Sequence, residues 1–417
     1  MAWNEASVRA RFPALAIEDA GVRRLYLDAP AGSQVPECVI ERMRAVLVYA
    51  CANEGGYFRT SVETGAVMEE AHEAAAAFLG ARPDEVLFGL NTTSLLFHFS
   101  RLVAREWQAG DEILLTRMDH DGNVAPWLAA AEERGVTVRW LDFDPESFEY
   151  RYDALDGLIG PRTRLVACNH ASNILGTIND VARIVVAAKS VGAVAVVDAV
   201  QSAPHIPIDV QAIGCDLLAC SAYKFFGPHA GLLYLAPELR ERLVPLKVRP
   251  SSWAMPTRFA PGTPSFEAIA GALGAFEHLA WLGESFGGAS AAATLRQRIV
   301  AGLDAATVHE AAMMAAMFDG LAGIEGLRLY GPPKERLATR VPTFSFTLPR
   351  RGAEATARHL AERNIFVWSG SFYAWEAARR LDLSEDGAIR VGLAHYNTPD
   401  EVTRFISVLA DWAAGAG

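Results

Sequence analysis

The sequence predicts an α/β protein. A mostly parallel sheet carries helices on both faces, and a smaller α/β domain follows at the C-terminal end. Three observations lead there. First, between residues 85 and 235 short apolar runs alternate with helix-period stretches, the pattern of strand–helix units that build parallel sheets. Second, the run at 193–197, Ala-Val-Ala-Val-Val, is short and β-branched, as a strand buried on both faces requires. Third, that run closes on Asp198 and the run at 216–222 closes on Tyr223-Lys224. An acid and a lysine ending neighbouring strands mark a site outside the carboxyl ends of the sheet.

The chain has 417 residues, enough for several large cores. It divides into an arm (1–21), a large domain (22–265), a connecting helix (266–290) and a small domain (291–417). At 51% hydrophobic and 21% charged it has the composition of a soluble globular protein. A net charge of -11 argues against a nucleic-acid-binding surface. Five cysteines (Cys38, Cys51, Cys168, Cys215, Cys220) form no CxxC pair and leave an odd count, which fits reduced thiols in a cytoplasm. Each falls in an expected core strand or helix, the usual place for inert thiols. No uninterrupted apolar run approaches ~20 residues, so no membrane span is expected. The opening residues lack the basic-then-apolar order of a signal peptide and suggest a short amphipathic helix ended by Pro13.

The elements follow in order. Residues 24–28 (RLYLD) form a strand, residues 29–33 a tight loop, and residues 36–50 a helix. A glycine-marked loop (53–59) precedes an alanine-rich helix at 63–79. The strand at 85–88 leads through Asn91-Thr92-Thr93-Ser94 into a helix at 95–107, so its first turn offers free N–H groups to an anion or simply takes an N-cap. The strand at 112–116 ends near Asp119-His120-Asp121. The two acids flanking His120 suggest a metal cluster, but no second ligand group stands at a usable spacing. A helix (124–134), a strand (137–143), a helix (152–159), a strand (163–168) and a helix (180–191) continue the alternation. Beyond residue 235 come helices at 237–244, 266–282 and 295–321, the last a Met-rich core helix. Strands at 327–330, 343–348, 365–367 and 389–395, with helices at 353–363 and 400–413, complete the small domain.

Taken alone, Asp198 and Lys224 read first as a turn cap and a solvated loop lysine. Set among Ala222, Tyr223, Phe225 and Phe226, however, the lysine loses hydration, which lowers its pKa and frees a neutral amine for an aldehyde. Pyridoxal 5'-phosphate supplies such an aldehyde, and its ring nitrogen wants an acidic partner.

The stretches VVDAVQSAPHIPIDV and DLLACSAYKFFGP resemble the cofactor-binding core of class V aminotransferases, in particular the cysteine desulfurase branch, which are fold-type I pyridoxal-phosphate enzymes. The resemblance implies that Lys224 is the Schiff-base lysine and Asp198 the partner of the ring nitrogen. It places Gln201 on the ring hydroxyl and Ser221 on the phosphate, with Tyr223 standing where relatives often have a phosphate-binding histidine. The segment YLDAPAGS resembles a YLDNAAT-like loop whose backbone meets the substrate carboxylate, here around Ala31. The turn with Thr92 and Thr93 resembles a phosphate-binding GTTE-like turn. His120 matches the histidine that stacks on the pyridine ring. Asn173, in NHASNILG, is implied between the ring hydroxyl and the substrate carboxylate, with His170 nearby. Thr263, in FAPGTPS, is implied to reach a neighbouring subunit's phosphate, hence a homodimer, and Arg59 lies in a region near that partner. Arg390, in AIRVGLAHYNT, is implied to take the substrate carboxylate in a two-pronged pair.

The pattern breaks at one point. Desulfurases of this type carry a sulfur-accepting cysteine in a loop like RTGHHC, whereas here the stretch reads Trp368-Ser369-Gly370-Ser371-Phe372-Tyr373-Ala374. Tyr373 occupies that place, and no cysteine follows Cys220. A tyrosine cannot accept sulfur. The expected reaction is therefore a C–S lyase β-elimination on cysteine or an S-substituted cysteine. Aminotransfer and epimerisation are the alternatives, and a non-catalytic protein of the same fold is a further one. Trp253, Trp368, Phe372, Tyr373 and Trp375 are candidates for an aromatic pocket or for packing.

Overall fold

A computed structural model of the chain describes residues 2–290, 292–348, 350–383 and 385–415. The expected boundary at 291 lies on a residue outside those described. The main sheet has seven strands: β1 (Val86–Gly89), β2 (Glu112–Thr116), β3 (Thr137–Leu141), β4 (Thr163–Asn169), β5 (Val194–Asp198), β6 (Leu217–Ser221) and β7 (Gly231–Leu235). Their order is β1-β7-β6-β5-β4-β2-β3, and only β7 runs against its neighbours. The expected mostly parallel sheet is thus present.

Successive side chains of a strand point to opposite faces, and here both faces are apolar. Leu114, Val166, Val197 and Leu218 join one buried cluster, and Ile113, Leu165, Val196 and Leu217 join another. Helices cover each face. α1 (Glu37–Tyr49), α2 (Arg59–Leu79), α5 (Val181–Ser190) and α6 (Phe266–Ser285) close the first, and α3 (Thr92–Val103) and α4 (Ala125–Arg134) close the second.

A second, antiparallel sheet of four strands comprises β8 (Arg328–Tyr330), β9 (Thr343–Thr347), β10 (Trp368–Gly370) and β11 (Ala388–Gly392), in the order β8-β9-β11-β10. The strand expected at 365–367 does not join it. Residues Ile365–Phe366 instead pair in parallel with Leu25–Tyr26. Leu25 and Leu27 accordingly share an apolar cluster with Met317, Phe344 and Val391. The strand expected at 24–28 is short because the chain turns at Asp28, whose carbonyl accepts from Ala31 N (2.7 Å) and Gly32 N (3.2 Å). This turn lays residues 28–33 between the two sheets.

The helix α7 (Leu295–Ala322) is long and apolar enough to cross a membrane by length and composition alone, but Arg298, Asp304 and Glu310 interrupt it, so it is not an uninterrupted apolar run. Its glycine-bearing face is closed against α6. A Cβ at Gly302 would stand 2.1 Å from the Leu279 carbonyl oxygen, and one at Gly283 would stand 1.9 Å from that of Arg298. Only glycine lets the two backbones approach this closely. The helix expected at 353–363 is α8 (Ala353–Ala361), and two further elements, β10 and the helix α9 (Trp375–Arg380), fall where the sequence suggests only a loop.

Candidate active site

The parallel strands deliver their last residues to one edge. Asp198 ends β5, Ser221 ends β6 and Asn169 ends β4. Lys224 sits just past β6 in the 3-10 turn Ala222–Lys224. Its amine donates to the carbonyls of Pro30 (2.5 Å) and Ala31 (2.9 Å), and Gln201 Nε2 donates to the same Pro30 oxygen (2.8 Å). The loop after Asp28 thus forms one wall of the site, and Ala31 and Gln201 stand beside the lysine.

Burial governs the charges here. It pulls Lys224 down from 10.5 to about 7, with the positive field of Arg390 adding to the fall and Asp198 and Asp28 opposing it. It pushes Asp198 up to about 6 against the pull of Val200 N–H (2.8 Å) and Lys224. It pulls Arg390 down to about 9, so the guanidinium keeps its charge at neutral pH. Asp28 is likewise pushed up to about 6, and its Oδ1 is buried without a hydrogen-bond partner. The sequence reading missed Asp28 as a site residue. Its signal was an acid closing a strand directly before a Pro- and Gly-containing loop.

His120 begins the turn after β2. Burial, then the fields of Lys224 and Arg390, pull it down to about 4, so its ring is neutral. Its Nδ1 accepts from Gly122 N (2.9 Å), which assigns the proton to Nε2. Gly122 has no room for a side chain, since a Cβ there would lie 2.6 Å from Thr93 Oγ1. The Thr92–Thr93 turn and the His120 turn are therefore packed together. Asn91 caps α3 through Ser94 N (2.8 Å), while Thr92 N and Oγ1 reach Ser221 Oγ at 3.0 and 2.8 Å. Tyr223 is half-buried, and its ring stacks on His229 at 4.7 Å.

Arg390 lies in the middle of β11 and is buried. It donates to the Asn173 carbonyl (3.0 Å), and its guanidinium lies 4.5 Å from the centre of the Phe372 ring. Asn173 Nδ2 donates to the Phe372 carbonyl (2.8 Å), while its Oδ1 is buried without a partner. His170 Nδ1 is likewise buried and unpartnered, and burial pulls that ring down to about 4.

Two candidates lie apart from this cluster in the single chain. Thr263 is exposed in the loop before α6, and Arg59 is exposed at the start of α2, paired with Glu63 (2.7 Å). The aromatic candidates also divide. Trp253, 65% exposed, packs against Lys247 (4.3 Å), while Phe372 lies under Arg390 and Tyr373 beside His120. The cysteines need one correction. Cys51 is exposed in the loop after α1 and Cys38 is half-buried, so not every thiol is a core residue. Cys168, Cys215 and Cys220 are buried, and burial pushes Cys215 up to about 12 and raises the other two well above their ordinary value.

A family profile described as aminotransferase class-V matches residues 25–405. The chain belongs to the class-V aminotransferase family. An aminotransferase-like protein of Gibberella zeae is 32% identical over 413 residues, covering 97% of each chain. A cysteine desulfurase of Klebsiella pneumoniae is 32% identical over 429 residues, covering 98% of each. The solved structure of a cysteine desulfurase from Thermococcus onnurineus superposes with a TM-score of 0.87 at 26% identity over the full length of both chains. As a class-V aminotransferase relative with a fold-type I architecture, the chain is an enzyme that uses pyridoxal 5'-phosphate.

Proposed function

We propose that this class-V enzyme is a C–S lyase that acts on cysteine or an S-substituted cysteine. The observation that carries the reading is the pairing of a buried amine held near neutrality with a site that has no accepting thiol. Lys224 is poised at about 7, and Tyr373 stands over His120 where a desulfurase would present its cysteine. The chain has no cysteine after Cys220, and the buried thiols are pushed away from the thiolate form.

The donor set fits the cofactor. Lys224 offers a neutral amine for its aldehyde, and Asp198 a buried carboxylate for its ring nitrogen. Asn173 offers a buried acceptor without a partner, and His120 a neutral ring for stacking. Thr92 and Thr93 at the first turn of α3, with Ser221 at the end of β6, would offer hydroxyls and N–H groups to its phosphate, with Tyr223 next to Ser221, and Gln201 would serve the ring hydroxyl. Bound there, pyridoxal 5'-phosphate supplies an aldehyde for the substrate amine and an electron sink for the pair left on Cα.

The chain's own residues then do the following. Arg390 takes the α-carboxylate, relieving the cost of its own buried charge, with Asn173 and the backbone at Ala31 beside it. Lys224 Nζ, with a large neutral fraction near pH 7, accepts the Cα proton. Asp198 holds a proton at the ring nitrogen. As the C–S bond breaks, its electron pair leaves with sulfur, and no enzyme thiol is needed to receive it. The balanced outcome is S-substituted cysteine plus water giving pyruvate, ammonia and the free thiol.

The active unit in this reading is a homodimer of chains divided as at 22–265 and 291–417, with Thr263 reaching the partner's phosphate and Arg59 facing the partner. The exposed Leu47, Val48, Tyr49, Phe58 and Val62 around the end of α1 and the start of α2 support a covered apolar surface. The reduced cysteine set supports a cytoplasmic setting. The test is a substrate screen with purified holoenzyme. Equal amounts of pyruvate, ammonia and thiol are expected. A keto acid that keeps the substrate's sulfur would show aminotransfer instead, and an inverted amino acid would show epimerisation. No pyruvate from any sulfur amino acid would defeat the lyase reading.

A further inference from the structure

The segment that replaces the family's cysteine loop is built as a rigid object. Phe372 and Tyr373 both adopt left-handed backbone (φ 58° and 57°), a costly arrangement for two successive non-glycine residues. Such strain persists only where the surroundings over-determine it, and here they do. Asn173 Nδ2 holds the Phe372 carbonyl (2.8 Å), and Asp121 N holds the Tyr373 carbonyl (2.6 Å). The helix that follows, α9, is tied back to the main sheet by the ion pairs Arg117–Glu376 and Arg380–Asp142, the latter at 3.2 Å.

This pinned turn presents rings to the site. Phe372 packs under the Arg390 guanidinium at 4.5 Å. The Tyr373 ring lies 5.6 Å from that of His120, yet is 74% exposed and makes no hydrogen bond through its hydroxyl among the described residues. Trp368 stands directly opposite Arg390 in the β10–β11 register, so the two share a face of the sheet, and Trp368 is 53% exposed. Three aromatic rings thus border the two residues that would grip the substrate's carboxylate and the ring beside it. None of the three carries a charge.

We propose that Trp368, Phe372 and Tyr373 form a fixed aromatic wall that selects amino acids bearing an aromatic or bulky apolar group beyond Cβ, such as an S-benzyl or S-aryl group. The inference rests on the reading that Arg390 takes the α-carboxylate. That anchor places a substrate's Cβ substituent alongside the rings. A large apolar substituent removes the exposed faces of Trp368 and Tyr373 from water, with the buried Phe372 ring backing them, while a methyl group or a bare thiol leaves them wet. None of the three rings carries a positive charge to offset the lost hydration of a carboxylate, so acidic amino acids are disfavoured.

The test titrates holoenzyme with S-benzyl-L-cysteine and S-methyl-L-cysteine and reads dissociation constants from the cofactor's visible spectrum. The wild type and the Tyr373→Ala, Tyr373→Phe and Trp368→Ala variants are compared. Neither Tyr373 nor Trp368 is buried, so the variants are expected to fold. The wild type is expected to prefer the benzyl compound by about tenfold, and each alanine variant to lose about threefold or more of that preference. Tyr373→Phe is expected to retain it. Equal affinities in the wild type, no spectral response to either compound, an unchanged preference in both alanine variants, or its loss in Tyr373→Phe would each overturn the proposal. The two readings separate cleanly. Selective binding without pyruvate sinks the lyase reading alone, and pyruvate formed equally well from both compounds with equal affinities sinks the wall alone.

Discussion

Replacing Lys224 with methionine should change the pH dependence of the cofactor-free protein's stability in a calculable way. The folded amine sits at about 7, against an ordinary 10.5. Between those values the unfolded chain binds the proton that the folded chain has released, so wild-type stability rises with pH across that window. The penalty of burying the amine is therefore largest below pH 7 and is relieved as pH climbs towards 10.5. Methionine has a similar length and no titration, so it removes this slope. Linkage between the two values gives a change of about 3 kcal/mol in the variant-minus-wild-type difference from about pH 7 to about pH 9.5. The lost hydrogen bonds to the Pro30 and Ala31 carbonyls, roughly 1–3 kcal/mol each, displace the whole difference curve but do not tilt it. Denaturant melts of both cofactor-free proteins at a series of pH values measure this. A difference that stays level with pH would show that Lys224 titrates like a solvated lysine, and the reasoning from burial would fail.

Three further outcomes follow from the same geometry. Arg390→Lys should raise KM for the amino acid by about tenfold or more while kcat falls less, because an ammonium cannot form the two-pronged carboxylate pair; steady-state kinetics separates the two terms. Asp198→Asn should lower kcat by about 10²–10³-fold in protein that still binds cofactor, since a neutral amide cannot stabilise a charged ring nitrogen; cofactor content by absorbance shows whether binding or turnover was lost. Gly302→Ala should cost about 1–3 kcal/mol in a denaturant melt, because a Cβ there meets the Leu279 carbonyl oxygen at 2.1 Å and α6 and α7 must separate.

Much of this was legible from residue types and spacing. The buried β-branched run before Asp198 and the run before Lys224 marked two adjacent parallel strands, because a strand covered on both faces leaves no room for polar residues. The small domain was harder. Trp368 to Gly370 looks like loop sequence, since a glycine and a half-exposed tryptophan suit an edge strand whose pairing comes only from β11. Helix α9 is short and held by ion pairs to distant residues, which no local pattern reveals. Asp28 escaped notice for a related reason. Its place beside Lys224 and Arg390 depends on a bridge to Gly392, 364 residues further along the chain. Thr263 and Arg59, which the family resemblance implies to serve a second copy, stand exposed in the single chain, where Arg59 pairs with Glu63.

The central claim is that the amine at position 224 carries the cofactor. Borohydride reduction of the holoenzyme, followed by digestion and peptide mass mapping, tests it directly. A phosphopyridoxyl group found on the peptide containing Lys224, and absent after Lys224→Met, is the predicted result. The same group found on another lysine such as Lys189 or Lys247, or on none, would contradict the account.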